Sequence, residues 1–151
     1  MTRLTLLFLA VLLFANTSFS QSTEESPELK EASQLAESVE KLITEKNYDE
    51  AFPLARRALQ IREKLLPPTD PRVSASLHYL GELYLAKGDS GAVKQTFERL
   101  LRIFEERFGP TSVNLANTLD RLAMLYNRDG NEKKAEEMYQ RAVASLRSHL
   151  A

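Results

Sequence analysis

The side chains that most often do chemistry in proteins are sparse in this sequence and poorly spaced for catalysis. The only histidines, His78 and His149, are far apart and fall on different predicted helices. Ser76 and His78 are two residues apart on one predicted helix, so they point in different directions and cannot form a nucleophile–base pair locally. The glutamates at 105–106 and 136–137 are adjacent rather than facing. We therefore predict a non-catalytic protein with no catalytic residue, cofactor or metal site.

Motif content and composition exclude further classes of protein. The sequence has no His-Glu-x-x-His, calcium loop, phosphate-binding glycine loop or Gly-x-Ser-x-Gly. It has no cysteine, which excludes thiol catalysis, cysteine metal sites and disulfides. The 20 Lys and Arg nearly balance the 21 Asp and Glu without a long run of one sign, which argues against nucleic-acid binding. An apolar fraction of 43% and a charged fraction of 27% are typical of one folded globular domain.

An internal repeat is the dominant feature of the sequence. The segment from Leu77 to Gly88 recurs forty-two residues later, from Leu119 to Gly130. Both copies carry apolar or small residues at the i, i+3, i+4 and i+7 spacing of one helix face: Leu77, Leu80, Gly81 and Tyr84, then Leu119, Leu122, Ala123 and Tyr126. Each such face needs a neighbour to bury it, and a repeat of this length is typical of a solenoid.

Caps and breaks predict six helices in three antiparallel pairs. Residues 21–27 are polar and show no hydrophobic periodicity. We assign 21–32 to a flexible leader. Ser26–Pro27 nevertheless has the pattern of a helix start, and this first helix should end near Lys46. Asn47 should cap the second helix, with Glu50 as its capping-box partner. Pro53 either shifts the start of that helix or introduces a small kink.

The other two pairs have clearer boundaries. The third helix should run from about Pro71 to Lys87 and end at a left-handed Gly88. Asp89 should cap the fourth helix, Thr111 or Ser112 the fifth, and Asn131 the sixth. The residues expected to face inward on the sixth helix are Ala135, Tyr139, Ala142, Val143 and Leu146.

This pattern resembles the tetratricopeptide repeat, whose signature is Leu-Gly-x2-Tyr on the first helix and Ala-x3-Phe on the second. The middle repeat matches through Leu80-Gly81, Tyr84, Val93 and Phe97, and the last through Leu122-Ala123, Tyr126, Ala135 and Tyr139. The period of forty-two is similar to the kinesin-light-chain subtype. The resemblance covers about 33–148. It implies an all-α, right-handed solenoid over 33–151, with repeats at about 33–68, 69–110 and 111–151.

The small residues of the repeat have an expected packing role. Gly81 and Ala123 on the first helices should face Ala or Val on the second helices, so that paired backbones approach closely. Tyr84 and Phe97 should fill the space alongside.

The resemblance also implies a protein–protein interaction module with a concave groove along the first helix of each pair. The groove positions carried over from the family are Glu37, Glu40, His78, Tyr79, Glu82, Asn117, Asp120, Arg121, Asn127 and Arg128. The Asn-Asn pair of many kinesin-light-chain repeats is replaced by His78-Tyr79 and Asp120-Arg121. Acids on the first two repeats and Arg121 on the third favour a mixed-charge groove for a peptide partner. Alternatively, these residues are simply solvated helix faces.

The N-terminus has the pattern of a secretory signal. Arg3 precedes an apolar run of twelve residues, and Ser18-Phe19-Ser20 offers small residues for cleavage before Gln21. We therefore expect a signal peptide at 1–20 and a periplasmic or secreted protein that is not membrane-bound after cleavage. An uncleaved anchor is the alternative.

The C-terminal end suggests a second interaction surface. The sequence stops at Ala151 with no polar capping helix after Val143, Leu146 and Leu150. A homodimer, or a structural subunit of an envelope or secreted assembly, is therefore the alternative to groove binding. Charged residues such as Arg141 and Arg147, with His149, could instead keep this face monomeric.

Overall fold

A computed structural model describes residues 25–150, with side chains up to residue 147. Within that range the chain forms six α-helices and one short 3-10 turn: α1 Pro27–Thr44, α2 Tyr48–Leu65, α3 Pro71–Lys87, α4 Ser90–Phe108, the turn Val113–Leu115, α5 Ala116–Arg128 and α6 Glu132–Leu150. Consecutive helices pack as pairs, and the pairs stack into the predicted all-α solenoid. The signal-peptide prediction for 1–20 lies outside the described residues.

Local capping explains most of the helix boundaries. The side chains of Ser26, Asp70 and Asp89 each accept a hydrogen bond from a backbone N–H in the first turn of α1, α3 and α4. Gly88 closes α3 with φ of 74°, the left-handed conformation that glycine adopts without a steric penalty. These caps confirm the predicted helix starts. Because α1 begins at Pro27, residues 27–32 are helical, and the leader assigned to 21–32 is wrong for that part.

The capping box predicted at Asn47 and Glu50 does not form. Lys46 is left-handed, with φ of 62°, and the Asn47 N–H donates to the Leu42 carbonyl at 2.8 Å. In a capping box the Asn47 N–H would donate to the Glu50 side chain. Because this N–H is already used in the turn that ends α1, the box cannot form. Asn47 also makes no side-chain cap. Pro53 does not shift the helix start, since α2 begins five residues before it.

The predicted start of α5 needs a correction as well. Ser112 accepts a hydrogen bond from the Asn114 N–H, but the residues it caps form the 3-10 turn Val113–Leu115. The α-helix itself begins only at Ala116. In the turn between α5 and α6, Asn131 caps α6 as predicted. Its side chain accepts a hydrogen bond from the Lys134 N–H at 3.2 Å.

The core is built from two clusters that meet on α3. Leu80 and Leu83 pack with the first pair, around Val39 and Ala55. Leu77, one turn before Leu80 on the same helix, joins the larger cluster formed by the second and third pairs. The helix is therefore buried on two sides, which is why the segment from 77 to 83 is so apolar.

Ion pairs repeat with the same period as the sequence. Glu63 of α2 pairs with Arg99 of α4 at 2.5 Å, and forty-two residues further on Glu105 of α4 pairs with Arg141 of α6. A second link between these repeats is the pair of Lys94 with Asp129, at 2.7 Å. Such pairs contribute only about 0–1 kcal/mol each when exposed, but their complementary charges favour this register of the stacked repeats.

The face of α6 that was predicted to be buried is only partly so. Ala135 and Ala142 are buried as expected, whereas Tyr139, Val143 and Leu146 are exposed. Met138 and Ser145 are buried instead. The reason is that no described helix follows α6 to cover its outer side, so a residue there is buried only if it faces α5 or the 3-10 turn.

Candidate protein-binding groove

The predicted groove residues all lie on the first helix of a pair, and their exposed side chains define what we call the groove face of α1, α3 and α5. All ten are exposed or half-buried: Glu37 and Glu40 on α1, His78, Tyr79 and Glu82 on α3, and Asn117, Asp120, Arg121, Asn127 and Arg128 on α5. Their accessibility leaves all of them available to a ligand, although accessibility alone does not assign them a role.

Some of these residues are brought together by the fold. The Tyr79 hydroxyl donates to Glu40 Oε2 at 3.3 Å, which links α1 to α3. Arg121 Nη1 lies 2.9 Å from Glu82 Oε1, an ion pair between α3 and α5 without the directed geometry of a hydrogen bond. Arg121 Nε also donates to Asn117 at 3.1 Å. The polar groups of the groove face thus connect neighbouring repeats.

An apolar pocket opens on this face between the second and third repeats. The Cα atoms of α1 and α3 come within 8 Å of each other, whereas those of α3 and α5 do not. Side chains of α4 are therefore accessible to a ligand through the gap between α3 and α5. The pocket has a volume of about 160 Å³ and is lined by Leu85, Val93, Phe97, Arg121, Met124, Leu125 and Arg128.

The two arginines give the pocket a positive border. The Arg121 guanidinium lies 5.5 Å from the centre of the Phe97 ring, within cation–π distance. Arg128 is exposed and donates to the Ser90 hydroxyl. An apolar cavity beside the exposed Arg128 can take an apolar side chain that has a carboxylate next to it.

Two groove-face side chains of α3, Tyr79 and His78, have pKa values shifted mainly by partial burial. Partial burial, with help from Glu40, raises the pKa of Tyr79 above its usual value of 10.0. Desolvation lowers the pKa of His78 below 6.5, with Arg121 acting in the same direction and Glu82 opposing it. Burial therefore favours the neutral form of the His78 imidazole.

Sequence reasoning missed the two exposed apolar residues of the pocket, Leu85 and Met124. Both are exposed, and Met124 retains 59% of its accessible surface. A signal for Met124 was present, because it lies forty-two residues after Glu82, which was assigned to the groove. The prediction selected polar side chains at these positions, so an apolar residue in the same register was passed over.

The described part of the chain holds neither a cluster of metal ligands nor a membrane-spanning helix. Among residues 25–150, no three His, Cys, Asp or Glu side chains are grouped so that they could hold a metal ion. None of the helices in that range is both long and apolar enough to span a bilayer.

Comparison with solved structures supports the same fold. The tetratricopeptide repeat domain of Arabidopsis FLU is 18% identical, with a TM-score of 0.68, covering 81% of this chain and 99% of that one. The nearly identical TPR-like repeats of a putative kinesin light chain from Podosopora anserina are 20% identical, with a TM-score of 0.69 over 84% of this chain and 60% of that one. BtubC (BKLC) from P. vanneervenii gives 18% identity and a TM-score of 0.61, with 82% and 59% covered.

Sequence comparison assigns the family directly. The search of curated proteins finds no match to this sequence. The tetratricopeptide repeat profile, however, matches residues 42–106 and 94–148, which together make up more than half of the chain. Domains of this fold are generally non-catalytic and act in protein–protein interaction. The chain therefore belongs to the tetratricopeptide repeat family, with repeats like those of kinesin light chains, and its fold is that of a protein–protein interaction module.

Proposed function

We propose that this protein is an exported, non-catalytic adaptor that binds a segment of a partner protein along its groove face. The observation that carries the proposal is the apolar pocket between α3 and α5, with Leu85 and Met124 exposed beside Arg121 and Arg128. An apolar pocket with a few convergent polar groups is the usual form of a binding site.

The size of the pocket indicates what anchors the partner. Its volume of about 160 Å³ is close to the ~150 Å³ of an engineered apolar cavity that holds one benzene molecule. A single aromatic or large aliphatic side chain therefore fits. Burying it would contribute about 25 cal/mol for each Å² of apolar surface removed from water, which makes this contact the anchor of the interaction.

Charges on either side of the pocket orient the bound segment. Arg128 is exposed near the anchor, so a carboxylate of the partner should lie next to the apolar side chain. Glu37 and Glu40 lie at the far end of the groove face, where a basic side chain of the partner would be favoured. Arg121 is already engaged by Glu82 and Asn117, so we assign it to shaping the pocket.

The export part of the proposal rests on the N-terminal segment 1–20 and has its own test. A fusion of residues 1–24 to a reporter enzyme that is active only outside the cytoplasm should give activity, and the exported protein should begin at Gln21. A reporter that stays cytoplasmic would contradict export without affecting the groove.

A random library of displayed twelve-residue peptides, selected on residues 21–151, tests the groove. Selected peptides should share a large apolar residue next to Asp or Glu. They should bind the Met124→Lys variant at least tenfold more weakly, about 1.4 kcal/mol, because a charge then enters the pocket. The matched control is Leu65→Lys, which changes an exposed leucine on α2 and should leave affinity unchanged. Peptides that bind Met124→Lys as tightly as the wild type would place the site elsewhere.

A further inference from the structure

The outer side of α6 carries residues that the preceding repeat buries. Tyr139 and Val143 lie forty-two residues after Phe97 and Leu101, the same positions on α4. Phe97 is 2% exposed and Leu101 is 7% exposed, but Tyr139 and Val143 are 36% and 46% exposed. We call the surface formed by Glu136, Tyr139, Gln140, Val143, Ala144 and Arg147, which line one shallow depression, the end face.

The end face differs from the equivalent face of α4 in the sign of its charges. On α4, Lys94 pairs with Asp129 and Glu105 pairs with Arg141, and both pairs hold the next repeat in place. Forty-two residues later, Lys94 is replaced by Glu136 and Glu105 by Arg147. Both charges are reversed. A further repeat of the same kind would therefore be repelled at both positions.

The same register shows that a second copy of this chain does not fit head to tail. Its first repeat would present Glu45 and Arg57, the residues eighty-four positions before Asp129 and Arg141. Glu45 would then meet Glu136, and Arg57 would meet Arg147. Like charges at both ends of the contact disfavour this arrangement, which would otherwise propagate into an open filament.

An antiparallel arrangement of two α6 helices instead places opposite charges next to each other. Glu136 and Arg147 are eleven residues apart on one face, about 17 Å at ~1.5 Å per residue. If a second α6 lies antiparallel across a twofold axis, Glu136 of each copy meets Arg147 of the other. In that register Tyr139 lies against Ala144, a large residue against a small one, and Gln140 lies against Val143.

We propose that this protein forms a twofold-symmetric homodimer through antiparallel contact of its end faces, and that the reversed charges at Glu136 and Arg147 select this dimer over a filament. A twofold contact is self-complementary, as this face is. The contact uses one helix face from each copy, so it should bury less than a standard interface and have a dissociation constant that is roughly micromolar or weaker. The proposal uses no groove-face residue and is independent of the proposed function.

The first test is light scattering with size-exclusion chromatography on residues 21–151, which contain every described helix, from low to high micromolar concentration. The mass should rise from one chain to two and no further. Val143→Glu should remain monomeric, while Leu65→Glu, an exposed leucine away from the end face, should dimerise like the wild type. A single-chain mass at every concentration, a mass that keeps rising beyond two chains, or a dimer unaffected by Val143→Glu would overturn the proposal.

A charge-reversal series tests the antiparallel register. Arg147→Glu alone should weaken dimerisation at least tenfold, because it places two glutamates opposite each other at both ends. Adding Glu136→Arg should restore the dimer. A parallel or groove-mediated dimer would not show this rescue, so its absence would reject the register.

Cross-linking gives a readout that does not depend on affinity. The chain has no cysteine of its own, so single cysteines can be introduced cleanly. A mixture of Gln140→Cys and Val143→Cys should form a disulfide-linked dimer faster than either variant alone. Equal rates for the mixture and the separate variants would contradict the proposed contact. Melting temperatures equal to that of the wild type should verify that these surface variants fold.

Discussion

An ideal β-carbon built on Gly81 would lie 3.1 Å from Cε2 of the Phe97 ring. The ring therefore packs directly on the backbone of α3, where the sequence had led us to expect a small residue of α4. Phe97 is 2% exposed, and its ring also lines the groove pocket. The same close contact holds the second helix pair together and lies beside the pocket proposed to bind a partner.

Substitutions at Gly81 should test how tightly the Phe97 ring packs on α3. Gly81→Leu should destabilise the fold by about 1–3 kcal/mol, because the extra atoms overpack the contact with Phe97. Gly81→Ala should lie within about 1 kcal/mol of the wild type, since the gain in helix propensity offsets a small shift of the ring into the pocket. Thermal unfolding measures both. A Gly81→Leu variant with an unchanged melting temperature would contradict this packing.

Arg62 is a buried cation whose hydrogen bonds go to neutral acceptors. Its Nη1 donates to the Arg72 carbonyl at 3.0 Å and to the Ser76 hydroxyl at 2.7 Å, while its Nε has no partner among the described residues. Burial lowers the pKa of Arg62. The equivalent positions in the later repeats are Phe104 and Leu146, so this site accepts apolar side chains.

We therefore expect Arg62→Met to be neutral or stabilising, because a buried charge is replaced by an apolar side chain of similar length. Ser76→Ala should cost about 1.5–3 kcal/mol in the wild type, since it removes a hydrogen bond to a charged group. In the Arg62→Met background the same change should cost little. Urea unfolding of the four proteins gives the coupling energy, and additive effects would argue against the interaction.

The lowered pKa of His78 has a defined sign for stability. Its folded pKa lies below the unfolded value of 6.5, so protons bind the unfolded chain more readily. His78 should therefore reduce stability as the pH falls from about 7 through 6.5 and below. His78→Gln should lose less stability than the wild type over that range. An NMR titration should place the His78 midpoint below 6.5, and a midpoint above that value would reverse the prediction.

Tyr126 should respond at the opposite end of the pH scale. Its hydroxyl donates to Glu98, and this hydrogen bond, with burial, raises the pKa of Tyr126 to about 12. A raised folded pKa means that the associated stability is complete below pH 10 and is lost as the pH rises through about 12. Tyr126→Phe should be less stable at pH 8 and should lose less stability between pH 10 and 12. Absorbance titration of the tyrosines provides the independent check.

Local patterns in the sequence were sufficient for the helices and their order. The caps at Ser26, Asp70 and Asp89 and the glycine at 88 are local features, so the boundaries of α1 to α4 were predicted to within about two residues. The forty-two-residue period also identified the repeat and the helices that carry the groove face. At Asn47 the helix boundary was predicted correctly but the capping box was not, because a hydrogen bond to the preceding turn had already used the backbone N–H that the box required.

Which faces are covered was decided only by the tertiary structure, because burial depends on what packs against a residue. Phe97 and Tyr139 occupy the same position in successive repeats, yet among the described helices only Phe97 has a following helix packed against it. The gap between α3 and α5, which exposes Met124 beside Leu85, likewise depends on how far two non-consecutive helices separate. Sequence spacing determines which positions of successive repeats correspond. The distance between stacked repeats determines whether a residue at such a position lies in the core, in a pocket or on the open surface.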